Sequence, residues 1–257
     1  MQRDTTIAAD TEPAIHALLS AEDFAHRVGY LSRAQVLEIS LRLAARVPGH
    51  VVEFGVADGS STRTIQRLLR WHPRIRMAPH WRKQIYALDS FEGLREAFEN
   101  APVGSFAGPV PRLPGVVIVK GYFEETCTEE LRQRIGRVAF AHLDADLYSS
   151  TLCALRWLTP MLDTGSILQF DEFIGGDNAE ARALEEWHQE TGTRLARVAA
   201  FDREPSGWGS SPDRRAVFQV IGDGKLPPAF SRGATRLLAL RRFAGRVRRR
   251  LQAGAGR

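Results

Sequence analysis

The sequence predicts a single α/β domain built on a doubly wound, mostly parallel sheet of seven strands. From residue 50 onward, short apolar or β-branched runs alternate with helical patterns, which is typical of βα units that feed a parallel sheet. Only a polar loop separates the last two runs, so they predict an antiparallel hairpin at one edge. A chain of 257 residues, 44% of them hydrophobic, is long enough for one full core.

The pattern assigns each element in turn. The predicted strands are His50–Val56, Gln84–Asp89, Val116–Lys120, Val138–Asp144, Ser166–Asp171, Arg194–Phe201 and Arg215–Ile221. The helices between them are Ser60–Trp71, Glu125–Ile135, Ser149–Leu162 and Asn178–Thr191. We expect Gly192 to stop the last helix, because glycine adopts the left-handed conformation that ends helices. Before the sheet, two further segments have helical patterns, Pro13–Ala25 and Arg33–Ala45.

Positive charge is concentrated at the end of the chain. The net charge is +5, but the segment after Asp223 holds ten basic and no acidic residues, so residues 1–223 carry −5. We therefore divide the chain into an N-terminal helical cap (1–48), a central domain (49–223) and a basic tail (224–257). The acidic central part argues against a nucleic-acid partner.

Within the tail, Arg236–Leu251 is predicted to form an amphipathic basic helix. Its apolar stripe has three possible partners: the rest of the protein, a second copy in a homo-oligomer, or an anionic membrane surface. No apolar run approaches the ~20 residues of a membrane span, and the N-terminus lacks a signal-peptide pattern, so a cytoplasmic location is expected. The only cysteines, Cys127 and Cys153, are interpreted as reduced core thiols.

The first candidate site follows the first strand. Gly55 and Gly59 form a G-x-x-x-G turn that lacks the dinucleotide and phosphate-loop patterns, which disfavours a pyrophosphate ligand. The carboxylate of Glu53 suits a cationic ligand, such as the amino group of S-adenosylmethionine. Asp89 ends the second strand, where a carboxylate can bind ribose hydroxyls. The simpler alternatives are a tight turn without a ligand at the glycines and a turn-forming role for Asp89.

A second candidate site lies where the fourth and fifth strands end. Four carboxylates converge there, those of Asp144, Asp146, Asp171 and Glu172. Like charges this close need compensation, and a divalent cation with hard oxygen ligands, Mg²⁺ rather than zinc, would supply it. Alternatively, Asp146 caps the next helix and Glu172 faces solvent. His142, in the fourth strand, is interpreted as a core histidine rather than a catalytic base.

Five motifs in this order carry a family resemblance. They are VVEFGV with GSS, LDSFEGL, GYFEET, HLDADLYSST and FDEF, and over about residues 30–222 they make the sequence similar to the macrocin O-methyltransferase family. These are class I S-adenosylmethionine-dependent enzymes that methylate sugar hydroxyls of natural products. The resemblance implies a Rossmann-like sheet with strand order 3-2-1-4-5-7-6, the cofactor over strands one to three, and a metal beside the transferred methyl.

The resemblance also assigns roles by position. For the cofactor, it implies the methionine end at Glu53, Gly55, Ser60 and Ser61, the ribose at Asp89 and Ser90, and the adenine side at Gly121, Tyr122 and Phe123. For the metal, it implies Asp144, Asp171 and Glu172. Glu172 departs from the family pattern, in which the best studied metal-dependent members carry an aspartate.

These observations predict a Mg²⁺-assisted O-methyltransferase that acts on a hydroxyl of a sugar or another small natural product. The metal would lower the pKa of the acceptor, and Asp144 or a bound water would take the proton. Two alternatives are a metal-independent small-molecule methyltransferase and a catalytically idle cofactor-binding module that docks through its tail. Acceptor specificity is expected in the loop Gly93–Gly115, near Trp208 and in the N-terminal helices.

Overall fold

The computed structural model describes residues 32–174, 178–202 and 214–222. The predicted helix Pro13–Ala25, the loop that contains Trp208 and the tail helix Arg236–Leu251 lie outside these residues. Among the residues described, no helix is both long and apolar enough to cross a membrane.

Within the described ranges, seven strands form one mixed sheet in the order β3-β2-β1-β4-β5-β7-β6, which confirms the predicted order and the α/β class. The strands are β1 His50–Phe54, β2 Ile85–Asp89, β3 Val116–Lys120, β4 Val138–Leu143, β5 Leu162–Ile174, β6 Leu195–Asp202 and β7 Arg214–Val220. Strands β1 to β5 pair in parallel. Strand β7 runs antiparallel to both β5 and β6, so the predicted edge hairpin is present.

The helices cover both faces of this sheet. They are α1 Arg33–Ala44, α2 Ser60–Trp71, α3 Pro73–Arg76, α4 Phe123–Thr126, α5 Glu129–Ile135, α6 Tyr148–Leu158 and α7 Ala179–Thr191. Helix α2 has the predicted bounds, and α7 ends as expected at Gly192, which adopts a φ of 63°. The short helix α3 was not predicted.

Two predicted helices were wrong in extent. The segment Glu125–Ile135 is two helices, because the hydroxyl of Thr128 accepts a hydrogen bond from the backbone N–H of Leu131 and starts α5 anew. The segment Ser149–Leu162 leaves the α-helical conformation after Leu158. Pro160, which has no N–H to donate, lies in a 3₁₀ turn there, and β5 begins at Leu162.

Two apolar layers hold the sheet between the helices. On one face, α1 and α2 pack on the central strands, with Leu37, Leu41 and Ile65 fully buried. The opposite layer includes Phe54 of β1 and Trp187 of α7. Helix α1 begins with a reciprocal capping box between Ser32 and Gln35. Its packing brings its first turn to the edge of the sheet where the parallel strands end.

Candidate functional site

The turn after β1 passes against the end of β4. Gly55 has a φ of 82°, and a Cβ atom at this position would lie 1.9 Å from the carbonyl oxygen of Asp144. The backbone N–H of Asp144 also donates to the carbonyl of Phe54 over 2.9 Å. Only glycine fits this junction, because it combines a left-handed conformation with the absence of a side chain.

Asp89 connects the ends of β1 and β2 through hydrogen bonds. Its Oδ2 atom accepts hydrogen bonds from the backbone N–H groups of Val56 and Ala57 at 2.7 and 2.8 Å. Its Oδ1 atom accepts a third from Phe91 at 2.7 Å. The carboxylate shapes both turns, which is the turn-forming role considered above, and it also lines the adjoining cavity. Because a carboxylate has about four acceptor positions, one remains for a ligand hydroxyl.

A cavity of about 310 Å³ opens where the parallel strands end. Most of the residues predicted for the site line it, namely Gly55, Ser60, Ser61, Asp89, Ser90, Tyr122, Phe123, Asp144 and Glu172. Three predicted site residues do not line it: Glu53, Gly121 and Asp171. Asp146 also borders the cavity. It is not the cap of α6, which begins after Leu147.

Aromatic and basic side chains form the wall after β3. Phe123 packs edge-on against Phe54 with ring centroids 5.2 Å apart. The guanidinium of Arg95 lies 3.7 Å from the ring centroid of Tyr122, a cation–π contact. Arg95 comes from the loop Gly93–Gly115, which also contributes Leu94 and Phe106 to the cavity. The loop expected to select the acceptor therefore borders the same space as the cofactor residues.

Glu53 lies beneath the cavity rather than in its wall. It is fully buried, and its Oε2 atom accepts a 2.5 Å hydrogen bond from the hydroxyl of Thr62 in α2. Its Oε1 atom lies 3.0 Å from Nδ1 of His142, which is also fully buried. Burial lowers the pKa of His142, but the carboxylates of Asp171 and Glu53 outweigh burial and raise it to about 9. His142 is therefore a buried core residue whose Nδ1 atom holds Glu53 in place.

Two arginines that the sequence analysis missed neutralise the acidic cluster. Nη1 of Arg33 lies 3.2 Å from Oδ2 of Asp144, and its Nη2 donates to Oδ2 of Asp171 over 2.6 Å. From β7, Nε of the buried Arg215 donates to Oδ1 of Asp171, also over 2.6 Å. Both arginines are distant in sequence from their partners.

The surroundings of Asp144 and Asp171 shift the pKa values of these two residues in opposite directions. Burial alone would raise the pKa of Asp171, but His142, Arg33 and Arg215 outweigh burial and hold it far below its usual range. The pKa of Asp144 is raised, first by burial and then by the negative charge of Asp171. Asp171 is thus a permanent anion, whereas Asp144 is the stronger base of the two and the one that lines the cavity.

Basic side chains already pair with these carboxylates. Arg33 contacts Asp144 and Asp171, Arg215 contacts Asp171, and the imidazole of His142 contacts Glu53. The presence of several carboxylates at this edge of the sheet therefore does not by itself require a divalent cation.

The donor atoms that the cluster offers are also a poor match for the ligands that Mg²⁺ prefers. Among the described residues, His142, Asp144 and Asp171 offer ligand atoms within 4.8 Å of one another. Glu172, the third expected ligand, is not in that group. Mg²⁺ requires several oxygen ligands, yet one of these three donors is a nitrogen and both Asp171 oxygens already accept from guanidiniums. In this arrangement the residues do not fit the metal.

The strand order, the glycine turn and the acidic residue that ends β2 define a class I methyltransferase. Residues 52–173 match the family model Methyltransf_24, which describes a methyltransferase domain. The protein is an S-adenosylmethionine-dependent methyltransferase. The match includes the cofactor turns and both aspartates of the cluster, but neither Arg33 nor Arg215.

Known proteins of similar sequence and structure agree with this class. Over 195 residues, the chain is 28% identical to an 8-demethyl-8-(2,3-dimethoxy-alpha-L-rhamnosyl)-tetracenomycin-C 4'-O-methyltransferase from Streptomyces olivaceus, covering 65% of this chain and 71% of the relative. The calicheamicin methyltransferase CalS11 superimposes with a TM-score of 0.52 at 22% identity, over 75% of this chain and 79% of CalS11. The O-methyltransferase NovP has a TM-score of 0.50 at 19% identity, over 73% of this chain and 80% of NovP. CalS11 and NovP therefore both share the fold of this chain.

Proposed function

We propose that the protein transfers the methyl group of S-adenosylmethionine to a hydroxyl of a sugar or another natural product. The observation that carries the proposal is the position of Asp144, a base with a raised pKa in the wall of the cofactor cavity. An O–H acceptor must lose a proton as it attacks, and a carboxylate beside the methyl group provides for this. The relative from S. olivaceus, named for a rhamnosyl substrate, supports a sugar acceptor.

For the cofactor, the proposal keeps the residues expected from the sequence, with one change of role. The methionine end lies against Gly55, Ser60 and Ser61, the ribose against Asp89 and Ser90, and the adenine against Tyr122 and Phe123, which follow Gly121 directly. Glu53 acts indirectly, because both of its oxygens bond to protein groups beneath the turn. Through Thr62 it fixes the start of α2, whose first residues border the cavity.

The chemistry follows from these positions. Asp144 takes the proton of the acceptor hydroxyl while the oxygen attacks the methyl carbon in line with the carbon–sulfur bond. That bond breaks, its electron pair stays on sulfur, and the products are a methyl ether and S-adenosylhomocysteine. Asp144 then releases its proton to solvent. Holding the two reactants at the correct distance supplies much of the rate.

Magnesium assistance is not part of this proposal. The first of the two alternatives, a metal-independent methyltransferase, is favoured because guanidiniums already contact the expected metal ligands Asp144 and Asp171. A role for Glu172 as a ligand, subunit association and membrane docking through the tail stay predictions.

The test is methyl transfer by the full chain from deuterium-labelled S-adenosylmethionine to a panel of deoxysugar glycosides, read by mass spectrometry. Asp144→Asn should lower kcat by about 100-fold or more, the usual contribution of a general base. Asp146→Asn is the matched control: Asp146 borders the same cavity with a φ of 56°, which asparagine tolerates. An unchanged rate in Asp144→Asn, or label found only on nitrogen or carbon, would refute the proposal.

A further inference from the structure

We propose that Arg33 replaces the divalent metal, that its guanidinium holds the acceptor oxygen beside Asp144, and that methyl transfer therefore needs no added cation. The inference rests on the proposed O-methyl transfer and names the group that stabilises the developing oxygen anion.

The position of Arg33 supports this role. Its side chain is 31% exposed and lines the cavity together with the glycine turn and Asp144. A guanidinium has five N–H donors in a plane, and the bonds to Asp144 and Asp171 engage only one edge of such a group. The part of Arg33 exposed in the cavity can therefore donate to an acceptor oxygen while the carboxylates keep it in place.

Asp171 and Arg215 make this cation rigid. Asp171 is fully buried, and Arg215 holds it from the β7 side at 2.6 Å, so the carboxylate that anchors Arg33 has little freedom to move. A preorganised positive group of this kind stabilises charge in a transition state without having to reorganise. The Arg33 guanidinium thus lies next to the proposed base, Asp144.

The ion pairs explain why a metal would be excluded. Arg33 already contacts Asp144 and Asp171, and Arg215 contacts Asp171, so a bound Mg²⁺ would add two further positive charges to a mostly buried cluster. An uncompensated buried charge is strongly destabilising. Arg33 would have to leave before Mg²⁺ could bind both aspartates.

Metal binding is a readout that does not depend on turnover. We expect wild-type protein to bind no Mn²⁺, used as a spectroscopic probe for Mg²⁺, in paramagnetic resonance titrations. Arg33→Ala, which exposes the two carboxylates, should gain one Mn²⁺ site. Arg42→Ala is the matched control, because Arg42 lies on the same helix and pairs with Glu38 instead. Mn²⁺ binding to the wild type, with no change in Arg33→Ala, would overturn the inference.

The kinetic test separates this inference from the function on which it rests. Wild-type turnover should be the same in EDTA and in added Mg²⁺, and Arg33→Ala should lose about 100-fold in kcat, with little change in the KM for S-adenosylmethionine. Added guanidinium ion should restore part of the loss. The variant Arg33→Lys keeps the positive charge and should therefore have a higher kcat than Arg33→Ala. It also provides a second test in case the alanine variant does not fold. Methyl transfer that EDTA abolishes and Mg²⁺ restores would overturn the inference but leave the function intact, whereas no methyl ether under either condition would refute the function itself.

Discussion

Removing the Asp171 carboxylate should destabilise the fold severely. In Asp171→Ala, the nearly fully buried Arg215 loses both of its bonds to this carboxylate, whereas the more exposed Arg33 keeps Asp144. Breaking a buried ion pair by removing one partner costs about 3–5 kcal/mol, because the other charge stays buried. With a urea m-value of about 3 kcal/mol/M, the unfolding midpoint should fall by about 1–1.7 M.

Urea denaturation followed by circular dichroism measures this effect, with Asp163→Ala as the control. Asp163 pairs with Arg137 at the surface, where the side chains are 53% and 66% exposed, so its loss should cost about 0–1 kcal/mol. Arg215→Met in the Asp171→Ala background should recover stability, because it removes the buried guanidinium that has lost its two bonds to Asp171. Equal midpoints for the two alanine variants would show that this ion pair does not stabilise the fold as the geometry indicates.

The pH dependence of stability has a definite sign. His142 and the two arginines lower the pKa of Asp171 in the folded protein, so its contribution is present above the unfolded value of about 3.9 and is lost as the pH falls below it. Gly55→Ala should abolish cofactor binding, measured by calorimetry, because the added Cβ atom would collide with the carbonyl of Asp144. Gly104→Ala is the control: its Cβ atom would meet nothing within 4 Å, so it should lower stability only slightly. Asp89→Ala should weaken S-adenosylmethionine binding by about 10-fold or more, from the loss of a charged hydrogen bond worth about 1.5–3 kcal/mol; unaltered affinity would remove Asp89 from the site. Truncation after Gly224 should leave turnover with soluble substrate intact, and a loss of sedimentation with anionic liposomes would assign the tail a membrane role.

The fold was predictable because its signals are local. The β-branched run of β3 and the helical pattern of α2 gave the observed bounds, and Gly192 ended α7 as expected. The errors came from single side chains that interrupt a pattern, such as the cap at Thr128. Periodicity averages over several residues and does not detect one hydroxyl that restarts a helix.

The site was predictable only in part, for a related reason. The residues expected to bind the cofactor lie at or just after the ends of strands, so the order of the strands brings most of them to one cavity. The cations of the acidic cluster come from α1 and β7, at sequence distances of 138 and 44 residues from Asp171. The sequence reveals the carboxylates, but only the folded arrangement shows which groups balance their charge.

The close junction between Gly55 and Asp144 has a consequence for how such an enzyme can diversify. Because the backbone of one residue fills the space beside the other, the register of β1 and β4 fixes the spacing between the proposed donor site and the proposed base. The loop Gly93–Gly115, which adds Leu94 and Phe106 to the cavity, is attached between β2 and β3 instead. If the proposed roles hold, mutations in this loop can reshape the space for the acceptor while the register of β1 and β4 keeps the reacting groups in place. New substrates are then accessible to selection without a loss of chemistry.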